Sequence, residues 1–107
     1  MILANREGSD GAGWCVGPWN SAVPIAIGFS GKGVDELHVH DAMVEVYLVA
    51  RGTATIVVDS ASVAVRAGTV LVVEPGETHT FSDHSDDYLH FVVQAPFVSG
   101  DKRSVAP

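Results

Sequence analysis

The sequence is poor in cysteine, in basic residues and in long apolar runs. Its 107 residues contain one cysteine, so neither an intramolecular disulfide nor a thiolate metal cluster can form. Six Lys and Arg stand against 13 Asp and Glu, and the formal net charge is −7 at pH 7. Nucleic acid and anionic membranes both demand a basic surface, so neither is an expected partner. A small molecule is the expected partner instead.

The apolar segments of the chain are short. None approaches the roughly 20 residues that a membrane-spanning helix needs. The N-terminal stretch Met1 to Ala4 is also shorter than the apolar part of a signal peptide, which is about 7–15 residues long. Together with the single cysteine, these features lead us to expect an unprocessed cytoplasmic protein.

Eight segments rich in Val, Ile and Thr predict strands, and no stretch shows a sustained apolar stripe at helical period. Turn residues separate them at intervals of several to about a dozen residues, a rhythm typical of all-β sandwiches and barrels. We therefore predict an antiparallel barrel or jelly roll. The predicted strands are residues 23–29, 37–40, 44–50, 53–59, 62–66, 70–74, 78–82 and 88–95.

The length and the 47% hydrophobic content predict one compact domain with differing ends. We expect an N-terminal arm over residues 1–21, a barrel over 22–98 and a polar tail over 99–107. Trp14 and Trp19 make the arm too aromatic to stay in solvent, so it is expected to pack on the barrel or on a second subunit. The large apolar groups near both ends predict a homodimer; they are Trp14, Trp19, Phe91, Pro96 and Phe97.

Three histidines and one glutamate stand out as possible metal ligands. His38 and His40 are two residues apart, so on a strand both side chains project to the same face. Glu45 begins the next apolar segment, and His79 follows a Pro75-Gly76 turn. Three imidazoles and one carboxylate form a ligand set for one divalent transition metal. The alternative for any single histidine is a hydrogen-bonded residue that fills the barrel.

The same residues show that the chain resembles the cupin superfamily, over about residues 22–97. The first cupin motif has Gly, His-x-His, Glu and Gly, and the second has Gly, Pro-x-Gly and His. The departures leave every ligand in place: the leading glycine is one residue out, Glu74 stands where Pro is usual, and Asp83 replaces the final Asn. The matching residues are His38, His40, Glu45, Gly52, Gly68, Gly76 and His79.

This resemblance implies a double-stranded β-helix of six to eight strands with a metal ion inside, commonly as a dimer. It does not imply one reaction, because the fold hosts several enzyme classes as well as ligand sensors. Hard oxygen and borderline nitrogen donors suit Fe, Mn, Ni, Co or Zn, and affinity order alone does not choose among them.

Two further residues are candidates for catalysis. Tyr47 shares a strand face with Glu45, so its phenol either orients a substrate or fills volume. His90 lies in the last predicted strand and faces either the cavity or the outer surface. His84, in an acidic loop, is expected to be a solvated surface residue.

The sequence thus predicts a metal-binding small cupin that acts on a small chelating organic substrate, as an oxygenase or an isomerase. Its spare coordination positions would accept a bidentate ligand such as a diketone or a hydroxy acid. Two alternatives remain open. One is a non-catalytic module that binds or senses a small molecule, and the other is a biosynthetic accessory protein that steers a cyclisation.

Overall fold

A computed structural model describes residues 1–6 and 11–106, which form ten strands and contain no helix able to cross a membrane. Strands β2 to β9 lie where the sequence predicts strands, which confirms the all-β antiparallel jelly roll. The bounds are β1 Ala12–Val16, β2 Ala26–Ser30, β3 His38–Val39, β4 Val44–Arg51, β5 Thr53–Val58, β6 Ala61–Arg66, β7 Val70–Val73, β8 His79–Ser82, β9 Leu89–Ala95 and β10 Arg103–Ser104.

The strands form two five-stranded sheets. The order is β1-β2-β9-β4-β7 in the first sheet and β10-β3-β8-β5-β6 in the second, and every pairing is antiparallel. Early strands pair with late ones, β2 with β9 and β3 with β8, so the chain passes back and forth between the sheets. The site described below depends on this nesting of distant segments.

The core lies between the two sheets, and alternation along the strands decides which side chains enter it. On β4, Glu45, Tyr47 and Val49 are buried, while Leu48 between them is 40% exposed. Ile56 of β5 and Phe81 of β8 reach the same core from the second sheet. Burial of this apolar surface, worth about 25 cal/mol per Å², holds the sheets together.

Two strands were not among the predicted segments. β1 is short and flanked by Gly11 and Gly17, and its alternation of exposed and half-buried residues ends where the register with β2 shifts, between Trp14 and Val16. β10 has two exposed residues and is a strand only because it pairs with β3. Both extend the sheets into the end segments of the chain. The division into arm, barrel and tail stays a prediction.

The aromatic residues near the two ends of the chain contact one another. The ring centroids of Trp14 and Trp19 are 6.4 Å apart, and those of Trp19 and Phe97 are 5.9 Å apart, both with edge-on geometry. Trp14 nevertheless remains 50% exposed and Trp19 52% exposed. Half of each indole therefore stays on the surface.

Glycine is required at position 52, in the turn between β4 and β5. Gly52 has a φ of +76°, and a Cβ there would lie 2.7 Å from the Tyr88 Cα and against the Ser85 hydroxyl. The turn therefore packs closely on the loop that leads into β9. This contact helps to place Tyr88 beside the cavity between the sheets.

Candidate metal centre

The structure brings the four predicted ligands together in the core. His38 is on β3, His40 directly follows that strand, Glu45 is on β4 and His79 begins β8. All four are buried, and one donor atom from each lies within 4.8 Å of the others. His38 pairs directly with His79 across β3 and β8, so strand register alone sets two of the rings side by side.

Each of the three imidazole rings is held by a backbone carbonyl behind it. A carbonyl oxygen accepts hydrogen bonds but cannot donate them, so each Nδ1 must carry the proton. When the ring is neutral, the Nε2 lone pair is then free to bind a metal. The bonds are His38 Nδ1 to the Glu36 carbonyl at 2.8 Å, His40 Nδ1 to the Asp101 carbonyl at 2.9 Å, and His79 Nδ1 to the Glu77 carbonyl at 3.1 Å.

Glu45 is a buried carboxylate surrounded by hydrogen-bond donors. Its Oε1 accepts a bond from the Tyr47 hydroxyl at 2.7 Å, and its Oε2 accepts one from the Gln94 amide at 2.9 Å. The Nε2 atoms of His79 and His40 lie 2.9 and 3.2 Å from Oε1. Burial raises the pKa of Glu45, but these bonds outweigh burial and hold the pKa well below its usual range.

The donor set fits a divalent transition-metal ion. Two Nε2 lone pairs facing one carboxylate oxygen would repel it unless a proton or a metal cation stands between them. Burial lowers the pKa of His38 to about 4, so that ring is neutral at neutral pH. For His40 burial acts in the same direction, but the Glu45 carboxylate outweighs it and raises the pKa. Either protons or one metal ion can stand between the Nε2 atoms and the carboxylate oxygen. A donor set of three nitrogens and one oxygen suits a divalent transition-metal ion.

A second contact of Asp101 stabilises the turn between two of the candidate ligands. Its carboxylate accepts hydrogen bonds from the backbone N–H groups of residues 41–43 at 2.9 to 3.1 Å. Its carbonyl holds His40, as described above. One residue near the C-terminus therefore holds both His40 and the turn that leads to Glu45. No local pattern points to Asp101, which is about 60 positions away in sequence.

The cluster lies at the wall of a cavity of about 720 Å³ between the sheets. His38, His40 and Glu45 line this cavity together with Tyr47, His90 and Gln94. This volume lies within the range of small-molecule pockets, about 300–1,000 Å³. The cavity can therefore hold an organic molecule in reach of the cluster.

Tyr47 and His90 both face this interior. The Tyr47 hydroxyl donates to Glu45, and its ring packs edge-on against Phe81 with centroids 5.0 Å apart. His90 is 2% exposed, so it faces the cavity and not the outer surface. Its Nδ1 shares a hydrogen bond with the Tyr88 hydroxyl at 2.7 Å.

Gln94 and Tyr88 also contact the site, although no motif in the sequence marks them. Alternation could have found Gln94, because residues 90, 92 and 94 share the inner face of β9. Tyr88 precedes that strand, and its contact with His90 depends on the loop before β9. Of the other residues considered, His84 is exposed, as expected.

Comparisons with known proteins agree with this architecture. Residues 28–94 match the family model of the cupin domain, Cupin_2. No curated protein sequence matches the chain.

Several solved structures share the fold. A variant of Streptomyces Pac13 with uridine is 19% identical and has a TM-score of 0.72, over 96% of this chain and 85% of that chain. Pac13 is described as a nucleoside dehydratase. A Bacteroides fragilis cupin protein is 20% identical with a TM-score of 0.68, over 92% and 89%. KdgF from Halomonas is 11% identical with a TM-score of 0.67, over 82% and 79%. Such low identities establish the fold alone.

The burial of His90 predicts a pH-dependent stability. Burial lowers the pKa of His90 to about 4, against 6.5 for an unperturbed histidine, although the Glu45 charge acts in the opposite direction. Between pH 6.5 and 4 the unfolded chain binds a proton that the folded chain does not, so stability falls as the pH falls. Between pH 7 and pH 5, we expect the protein to lose about 2 kcal/mol more unfolding free energy than its His90→Gln variant.

Urea denaturation at the two pH values measures this difference. His84→Gln, which removes an exposed histidine, is the control and should keep the pH dependence of the unaltered protein. Identical losses for His90→Gln and the unaltered protein would contradict the prediction.

Proposed function

Since this chain belongs to the cupin domain family, we propose that it binds one divalent transition-metal ion and acts on a small organic molecule in the adjacent cavity. His38, His40, Glu45 and His79 are the proposed ligands. The observation that carries the proposal is the convergence of one donor atom from each of three histidines and one buried carboxylate within 4.8 Å, with every Nδ1 already bonded to a backbone carbonyl.

The proposed metal is Fe, Mn, Ni, Co or Zn. Three neutral imidazoles and one carboxylate leave a divalent ion with a formal charge of +1, which favours anionic or enolisable ligands. A bound metal would supply Lewis acidity to a carbonyl or hydroxyl oxygen and, if redox-active, a site for dioxygen chemistry. An oxygenase or an isomerase acting on a chelating substrate follows as the proposed class.

The residues around the metal centre have separate proposed roles. Tyr47 and Gln94 fix the Glu45 carboxylate through its two oxygens. His90, paired with Tyr88, lies on the cavity wall and is neutral at neutral pH, so it can accept a proton from a bound molecule and return it. This acid–base pair is the observation that favours an enzyme. The similarity to Pac13, a nucleoside dehydratase, adds elimination of water to the candidate reactions.

One observation favours the alternative of a non-catalytic binding or sensing protein. The Tyr47 hydroxyl is already bonded to Glu45, so it is less available to a substrate. An accessory role in a cyclisation needs only a shaped cavity and a Lewis acid, and it stays open on the same grounds. Formation of product from a bound compound distinguishes an enzyme from a protein that only binds or senses that compound.

Loss of one ligand should abolish metal binding. We expect the purified protein to bind about one equivalent of metal and His40→Ala to bind it more than about 100-fold more weakly. Even partners behind the ligands contribute about 10–100-fold to metal affinity. The metal content is measured by elemental mass spectrometry, and the affinity by calorimetric titration with each candidate metal. Both use protein without a histidine tag. His84→Ala is the matched control and should bind like the unaltered protein; equal metal affinity in His40→Ala would contradict the proposal.

Catalysis is tested with the metal-loaded protein and a panel of diketones, hydroxy acids, phenols and nucleosides. We expect product with at least one class, detected by mass spectrometry and by oxygen uptake. His90→Gln should lower kcat by roughly 10²-fold or more while the metal content is unchanged, because acid–base groups contribute about that much. Thermal stabilisation by a compound that yields no product would support the binding protein instead.

We also propose that the chain forms a homodimer, because half of the Trp14 and Trp19 surface remains exposed beside Phe97. Light scattering should then give twice the chain mass of 11.2 kDa, and the mass of a single chain would contradict the proposal. A cytoplasmic location, and the absence of nucleic-acid and membrane partners, stay predictions.

A further inference from the structure

Positive charge is concentrated around the cavity of an otherwise acidic protein. Among the described residues, four of the six Lys and Arg line the cavity, but only three of the eleven Asp and Glu do. The cavity lining thus has a formal charge of +1, whereas the other described residues carry −6. The lining cations are Arg6, Lys32, Arg51 and Lys102, and the lining acids are Asp35, Glu45 and Asp86.

The fold does not use the charge of two of these cations. Within the described part of the chain, neither Lys32 nor Arg51 forms an ion pair within 4.0 Å. Arg51 Nε donates to the Asp87 carbonyl at 2.9 Å, which orients the guanidinium without neutralising it. Lys102 differs, since its ammonium lies 3.9 Å from the Glu36 carboxylate. Lys32 and Arg51 therefore remain available to a ligand.

One of the three lining acids is also already engaged. Glu45 accepts bonds from Tyr47 and Gln94, and in the proposed function it binds the metal. The negative charge of Glu45 is therefore largely compensated by these groups and repels an anion in the cavity less. A ligand in the cavity meets more positive than negative charge.

The cavity also has aromatic walls. Trp14 and Phe29 line it, and the Arg6 guanidinium lies 5.5 Å from the centroid of the Phe29 ring. With a volume of about 720 Å³, the cavity is far larger than an inorganic anion. Its occupant should therefore combine an organic body with a negative group.

We propose that the ligand of this cavity is an organic anion, whose carboxylate or phosphate group is bound by Lys32 and Arg51. This inference rests on the proposed function and specifies its substrate class. A protein with a net charge of −7 repels anions over most of its surface, so a local positive lining guides them to the cavity. Arg51 can form paired charge-assisted hydrogen bonds, and Lys32 can act as a point charge.

The test compares an anion with its neutral ester. We expect the protein, both Zn²⁺-loaded and metal-free, to bind 2-oxoglutarate at least about 10-fold more tightly than dimethyl 2-oxoglutarate in calorimetric titrations, because a charge-assisted hydrogen bond is stronger than one to a neutral ester. The metal-free titration is needed because the acid can chelate Zn²⁺ as an anion and the ester cannot. The preference should shrink as salt is raised. Uridine and uridine 5′-monophosphate form the second pair, which distinguishes a carboxylate ligand from a phosphate ligand.

Variants locate the binding group. Lys32→Gln and Arg51→Gln should each weaken binding of the preferred anion by about 10-fold with the metal content unchanged. Arg51→Lys keeps the charge and should retain part of the preference, which guards against a purely structural effect of removing the guanidinium. Arg66→Gln, which removes an exposed cation that does not line the cavity, is the matched control and should leave binding unaltered.

Failure of this inference is distinct from failure of the proposed function. Metal-loaded protein that binds acid and ester equally, or binds neither anion, overturns the anion assignment and leaves the metal assignment intact. Protein that takes up no metal overturns the proposed function. The same anion and ester titrations on that metal-free protein, with Lys32→Gln and Arg66→Gln, then decide the anion assignment by themselves.

Discussion

The candidate metal centre, and the cavity beside it, depend on keeping the Glu45 carboxylate ionised inside the core. Moving a charged carboxylate out of water costs several kcal/mol unless donors and cations replace the lost hydration. Here Tyr47 and Gln94 donate to its two oxygens, while His40 and His79 face one of them. A metal ion among these groups would neutralise most of the remaining charge. The polar cluster is therefore satisfied only when all of its members are in place.

This arrangement requires both sheets. Glu45, Tyr47 and Gln94 come from neighbouring strands of the first sheet, where Glu45 lies directly opposite Gln94. His38 and His79 come from paired strands of the second sheet. The cluster therefore forms only when the sheets pack face to face, and the apolar core that joins them also orients the candidate ligands. A one-residue slip in the pairing register of any of these strands would turn its groups to the outside.

The charges of the protein are unevenly distributed between the cavity lining and the rest of the chain. The chain as a whole has a formal net charge of −7, while the cavity lining is slightly positive. A metal-loaded cluster would add to that positive field at the cavity wall. The cavity thus combines aromatic surface, fixed cations and metal-ligating groups, and this combination supports the proposed organic anion as its ligand.

The sequence by itself determined the eight central strands, through their Val, Ile and Thr content and their turns. It also determined the ligand candidates, because a spacing of two residues puts His38 and His40 on one strand face and Pro75-Gly76 sets the turn before His79. Only the tertiary structure decided the support from Asp101, the inward position of His90 and the cations around the cavity. These features join residues from distant segments, about 60 positions apart for His40 and Asp101. Local patterns carry no information about such contacts, which arise when the two sheets close on each other.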